Sequence, residues 1–429
     1  MTHLNHIEYL LTHLLGEGNS EALQAIAYSA DENKWKEKRL IIVPSNFWDK
    51  NIYGTYKSLP TIPLQTIENT PILFGSNQII QKENQIIVYA DIVASAFFLL
   101  SRYEEWIRKN EKQAHDEHGR FRGKESLPFR AGFIFRPIVE EYGNLLRKWC
   151  RMANINVENP DTEKSFNLIF TSDIDTPFYC NNIRQFAGEI LRFLRIKKGN
   201  CNLKKSFCSL FEKKQNDPFF TIPFLHQLTQ KYTEKYRYII FFKSPIRGEK
   251  YGILDKPICS LKKQKIYFDY IAQHNDIEIG LHSSYKAGKN FSLLQKECSS
   301  LSTTKHRHHY LRNISFEEFE TLIKSGYTDD YTMGYADVAG FRLGTCKSIR
   351  WINPKTQKVT SLTLHPLMIM DCTLTEKKYM NLPEKEAINI SHQIIKNCKQ
   401  HGGDLCLLWH NQSVEKENLH RHIIKQILA

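Results

Sequence analysis

FNLIFTSDIDTP, Phe166–Pro177, is the stretch that decides the fold. Its first half is a short apolar run bounded by polar, turn-rich sequence and closed by a proline, which reads as a buried strand. Its second half puts two carboxylates, Asp173 and Asp175, at the strand's C-terminal end. Extended chain alternates its side chains with period 2, so the two point the same way if the strand runs that far. A turn after the strand would instead send them apart. The rhythm then repeats downstream. RYIIFFKS (Arg237–Ser244), IEIGLHSSY (Ile277–Tyr285), HHYLR (His308–Arg312), LMIMD (Leu367–Asp371) and CLLWHN (Cys406–Asn411) are short runs of the same kind. Helical patterns separate them, among them Thr221–Tyr236, Ser315–Gly326 and Glu384–Gln400. Strands alternating with helices of ten or more residues argue for βαβ units and a parallel sheet. About seven such strands suit a closed or nearly closed α/β barrel better than a flat sheet, a choice that spacing alone does not decide.

Upstream the pattern is mixed. RMANINVENPDTEKS (Arg151–Ser165) is polar and turn-rich, which places a boundary there: a smaller α+β domain over residues 1–160 and the barrel over 161–429. KRLIIVP (Lys38–Pro44) and TPILFG (Thr70–Gly75) read as buried strands, and DIVASAFFLLSRYEEWIRK (Asp91–Lys109) as one helix with charges gathered in its second half. HDEHGRFRGKESLPFR (His115–Arg130) is a polar loop, and a helix resumes at EEYGNLLRKWCRM (Glu140–Met152). The charges beside aromatics in SRYEEW and HGRF suit packing at a domain junction, with covering the barrel mouth as the alternative.

Composition excludes several classes. With 429 residues and 41% hydrophobic, the chain supports a buried core and is not disordered. No apolar stretch approaches the roughly 20 residues a membrane helix needs. The start, MTHLNHIEYLLTHLLGEGNS, has no basic n-region or cleavage site and reads as an amphipathic helix, so a cytoplasmic protein is expected. Lys+Arg 59 against Asp+Glu 46 gives +13. The lysines are dispersed and no nucleic-acid motif accompanies them, so nucleic acid is not the expected partner. All 10 cysteines lie from Cys150 onward without a CxxC pair and read as reduced thiols.

Polar residues crowd the strand ends: Asp173 and Asp175, His282, Asp371 and His410 close apolar runs, His308 and His309 open HHYLR, and Arg342 lies in GFRLGT. In parallel barrels the loops after the strands open on one face, where residues far apart in sequence meet. Carboxylates, imidazoles and a guanidinium there suit metal-assisted hydrolysis. The ion takes carboxylate and imidazole ligands, a second carboxylate takes a proton from water, and a histidine protonates the leaving group. Each feature also has a plainer reading: aspartates before a proline make turns, and a histidine after an apolar strand often only packs.

Five motifs in order, TSDIDTP, EIGLHSSY, RHHYLR, DYTMGYADVAGFRLGT and LLWHN, resemble those of the polysaccharide deacetylases, carbohydrate esterase family four, in a bacterial branch with an extra N-terminal domain. The resemblance implies a distorted barrel that hydrolyses an acetyl group from an acetylated glycan, usually with zinc. It further implies Asp173 as base, Asp175 and His282 as metal ligands, Arg342 as the group orienting the base, and His410 as acid. Lys286 stands where the family's second metal-binding histidine falls. His309 is the best substitute, with His308 or His306 behind it. Asp330 or Asp371 would hold the His410 tautomer. Without that histidine, the alternative is a degenerate barrel that binds carbohydrate or acts as a scaffold.

Overall fold

Branched apolar runs with few polar residues have to bury both faces, and Leu40–Ile42 and Gln85–Ala90 do so side by side in the computed structural model, which describes residues 5–82, 84–195, 202–244, 261–313, 315–416 and 418–429. The chain divides into two units. One takes Met1–Phe166, Met333–Met368 and Gln393–Asp404; the other takes Asn167–Thr332, Ile369–His392 and Leu405–Ala429. In the first, β1 (Ile26–Tyr28), β2 (Leu40–Ile42), β3 (Gln65–Ile67), β4 (Thr70–Ile72), β5 (Gly75–Lys82) and β6 (Gln85–Ala90) follow one another. They form a four-stranded sheet, β1-β2-β6-β5, and a separate β3–β4 ribbon. β1, β2 and β6 are parallel, and β5 closes the edge antiparallel.

The helix expected over Asp91–Lys109 is two helices. Ile92–Leu100 is buried at every position and is capped by the Asp91 carboxylate on the Ala94 N–H. It stops at Arg102, which adopts the left-handed φ of 59°, and Tyr103–Ile107 begins a new turn. The break turns the charges inward instead of toward solvent. Arg102 pairs with Glu105, and Arg108 and Arg130 pair with Glu104, all inside this unit.

In the second unit β7 (Asn167–Ile174), β8 (Tyr236–Lys243), β9 (Ile277–Ser283), β10 (Lys305–His308) and β11 (Asp329–Asp330) alternate with helices. The chain then leaves for an antiparallel hairpin of the first unit, β12 (Ile349–Asn353) and β13 (Lys358–Leu364). It returns as β14 (Ile369–Met370) and β15 (Asp404–Leu408). The strands of the second unit stand in the order β11-β10-β9-β8-β7-β15-β14. The pairs β7–β8, β8–β9, β9–β10, β10–β11 and β14–β15 are parallel. Among the described residues β11 and β14 do not pair, so these seven strands stand in open order.

The division expected near residue 160 falls at Phe166, and the first unit reclaims two later segments. The polar stretch after Met152 marks the first crossing. The later ones run through apolar sequence such as TLHPLMIMD and leave no compositional mark. Among the described residues no helix is long and apolar enough to cross a membrane.

Candidate functional site

Period 2 and parallel register build the site. Phe241 stands opposite Asp173 on one side and Gly280 on the other; one step on, Lys243 stands opposite His282, and His282 opposite Arg307. These residues therefore share one face of the sheet, and Ser283, His306 and His308 share the other. Arg307 on β10 reaches Thr171 and Asp173 on β7 by hydrogen bonds of 2.8 and 2.9 Å. Three strand spacings of about 4.8 Å put those strands ~14 Å apart in a flat sheet, so the sheet curls around this face.

Three ligand atoms converge at the ends of these strands. Asp175 Oδ1 lies 3.5 Å from His282 Nε2 and 3.3 Å from His309 Nε2, and the three groups' ligand atoms fall within 4.8 Å of one another. His282 is buried, and its Nδ1 donates to the Arg307 carbonyl at 3.1 Å, which leaves Nε2 as a bare lone pair. Burial, ahead of the neighbouring charges, holds its pKa below the usual histidine value, so it stays neutral. Burial alone would raise the pKa of Asp175, but Lys243, then His309 and His282, hold it well below the carboxylate range. A carboxylate and an unprotonated nitrogen that face each other repel unless a cation sits between them. Asp175 Oδ1 and His282 Nε2 are both buried without a hydrogen-bond partner. These donors fit a divalent ion of the kind imidazole and carboxylate hold together. The Lys243 ammonium approaches the same Asp175 oxygen at 3.2 Å. Lys286 is exposed, and it is His309 that supplies the second imidazole.

Around the triad stand the groups that could move protons. Asp173, 2% exposed, accepts from Arg307 through Oδ1, and its Oδ2 lies 3.5 Å from His282 Nε2. Arg307 is wholly buried, donates also to the Tyr331 carbonyl, and lies over the Phe241 ring at 4.5 Å. His410 presents Nε2 to the other Asp175 oxygen at 3.7 Å. Its Nδ1 is held by Asp371 at 2.8 Å, and its backbone N–H donates to the same carboxylate at 2.9 Å. Burial pushes the His410 pKa down, yet the Asp371 charge outweighs it and sets the ring well above the ordinary histidine value. The Asp371 charge thus favours the protonated ring. Asp175 and His410 keep partial exposure, while His309 is buried.

Two expected partners lie elsewhere. Arg342 grips Glu105 with two hydrogen bonds of 2.9 and 2.7 Å and donates to the Gly334 carbonyl, within the first unit. The guanidinium on Asp173 belongs to Arg307, hidden between histidines in KHRHH; its place on a strand, one residue out of phase with His306 and His308, was the available signal. Asp330 does not hold His410. It sits in register with His306, on the sheet's other face, and accepts from His306 Nδ1 at 2.8 Å. There Ser283 Oγ bridges His306 and His308 at 2.8 and 2.7 Å, and Glu318 lies 2.8 Å from His308. That cluster is fully buried, with His306 pushed down to about 4 by burial and then by His308, and it ties β9, β10 and β11 together behind the site.

Residues 1–154 match the model of a family described only as of unknown function, DUF7033. No curated protein matches the chain significantly. Among solved structures, a crystal structure from Mycobacterium smegmatis assigned as a polysaccharide deacetylase is similar, with a TM-score of 0.39 and 12% identity, covering 63% of this chain and 85% of that one. So distant a likeness leaves the chemistry to the geometry of the site itself.

Proposed function

We propose that the second unit is a metal-dependent hydrolase that removes an acetyl group from a sugar. The observation that carries the reading is the meeting of Asp175 Oδ1 with the Nε2 atoms of His282 and His309, two of these three atoms being buried without hydrogen-bond partners. A divalent ion seated on them, zinc by the donor set, would act as a Lewis acid on the acetyl carbonyl. Arg307 fixes Asp173 in orientation, so that its other oxygen is placed to accept a proton from the attacking water. Asp371 keeps His410 protonated with Nε2 toward the site, placed to give that proton to the departing sugar nitrogen or oxygen. The glycan as substrate rests on the five sequence motifs.

Acetate release should be measured from an N-acetylated chito-oligosaccharide, with the full chain stripped by chelator and then reloaded with Zn²⁺. Asp173→Asn should cost about a hundredfold or more while ion uptake persists. Full activity of that variant would contradict the assignment.

A second reading, a carbohydrate-binding barrel without catalysis, rests on Lys243, whose ammonium already neutralises the ligand carboxylate. It requires that the chain hold no stoichiometric ion until Lys243→Met clears the position.

A further inference from the structure

The first unit contains a cavity of about 450 Å³ that lies apart from the groups described above. Helix Ile138–Met152 lines it with residues one turn apart, and the cationic side chains at its wall are Arg147, Arg151 and Lys347, with His13 and His401 beside them. Cations normally find carboxylates, yet among the described residues none of these three forms an ion pair. Arg147, only 5% exposed, spends its terminal nitrogens on neutral acceptors: the Leu14 and Leu15 carbonyls at 2.8 and 3.1 Å and the Asn144 amide oxygen at 2.6 Å. Its Nε is buried with no partner, and so is His13 Nε2. Arg151 donates to the Asn159 amide oxygen.

Among the described residues Glu140 is the one carboxylate of the lining, and both its oxygens are engaged, by the Thr345 hydroxyl and the Cys346 N–H. Three cations against one carboxylate leave two positive charges unbalanced. The field is felt locally. Burial first, then the charge of Lys347, pushes His13 down to about 4; burial and the neighbouring Arg151 lower Arg147. The adjoining cavity, about 520 Å³, makes the contrast. Its cations are matched, Arg136 with Glu141 and Lys148 with Glu68.

We infer that the cavity walled by Arg147, Arg151 and Lys347 is an anion site for a phosphate-bearing small molecule. Guanidinium forks match the oxygens of phosphate, and a buried unpartnered N–H gains most from a charged acceptor. A phosphate monoester near neutrality carries about −1.5 to −2, the charge the cavity lacks.

The test uses the full chain, stripped by chelator so that no divalent ion gathers the anion, titrated calorimetrically with inorganic phosphate at constant ionic strength. Saturable binding of one phosphate per chain is expected. Arg147→Gln would also release the Leu14 and Leu15 carbonyls and risk the fold, so the informative variants are Lys347→Gln and Arg151→Gln. Each should weaken binding about tenfold, as losing one charge-assisted hydrogen bond does. Lys148→Gln, the paired lysine of the adjoining cavity, should leave it unchanged. Absence of saturable heat above a chloride-matched blank overturns the inference. Equal weakening by all three variants also overturns it, because general positive charge would then explain the binding.

Discussion

Arg307 sets the electrostatics of the site from inside the sheet. It is wholly buried, and its charge is matched by Asp173 at 2.9 Å. Removing one member of a buried pair strands the other, so Arg307→Met should destabilise the fold by about 3–5 kcal/mol in urea unfolding. Adding Asp173→Asn should restore much of that loss; an additive double variant would mean the two do not act as a pair. At His410 the sign runs the other way from a carboxylate. Its folded pKa is raised above about 6.5, so the stability it gains from Asp371 is complete below that value and is lost as pH rises through the folded pKa. An acid role needs the protonated ring, so the alkaline limb of kcat should shift to lower pH in Asp371→Asn; an unmoved limb would remove His410 from the chemistry. At this scale the sequence drew attention to Asp173, Asp175, His282 and His410 because each follows or ends an apolar strand, whereas His309, expected at the entry of a strand, follows the polar strand Lys305–His308. Arg342 and Asp330 misled for one reason: a strand end names a neighbourhood, while register and face decide which charge meets which.

At the scale of elements, β8, β9 and β10 act as one stack. A Cβ on Gly280 would come within 2.3 Å of the Phe241 ring opposite it, and that ring carries the Arg307 guanidinium. Gly280→Ala should therefore force Phe241 aside, cost about 1–3 kcal/mol of stability, and loosen Arg307 from Asp173. The thermal midpoint and the catalytic rate should fall together, whereas a loss of stability with an unchanged rate would uncouple the stack from the site. The alternation of strands and helices was readable where the strands are short apolar runs, as in β7, β8 and β15; β10 (KHRH) and β11 (DD) are polar, and the strand expected over His308–Arg312 lies instead at Lys305–His308. The break at Arg102 was not readable, since SRYEEW continues a helical pattern and only the pairing of Glu104 and Glu105 with arginines repays turning it inward. The hairpin β12–β13 is antiparallel and stands outside that alternation.

For the whole molecule, the sequence implied two consecutive domains, and the chain instead passes between its two units more than once. Composition records such a crossing only where the chain turns polar, as after Met152. The central claim is smaller than the molecule: Asp175, His282 and His309 form one divalent-cation site. Its most direct measurement is metal content per chain after dialysis against trace Zn²⁺, compared among the wild type, His282→Ala, His309→Ala and Lys286→Ala. One ion per chain is predicted for the wild type and for Lys286→Ala, with none held by either histidine variant. A wild type with no ion, or an ion that His309→Ala retains, would contradict it.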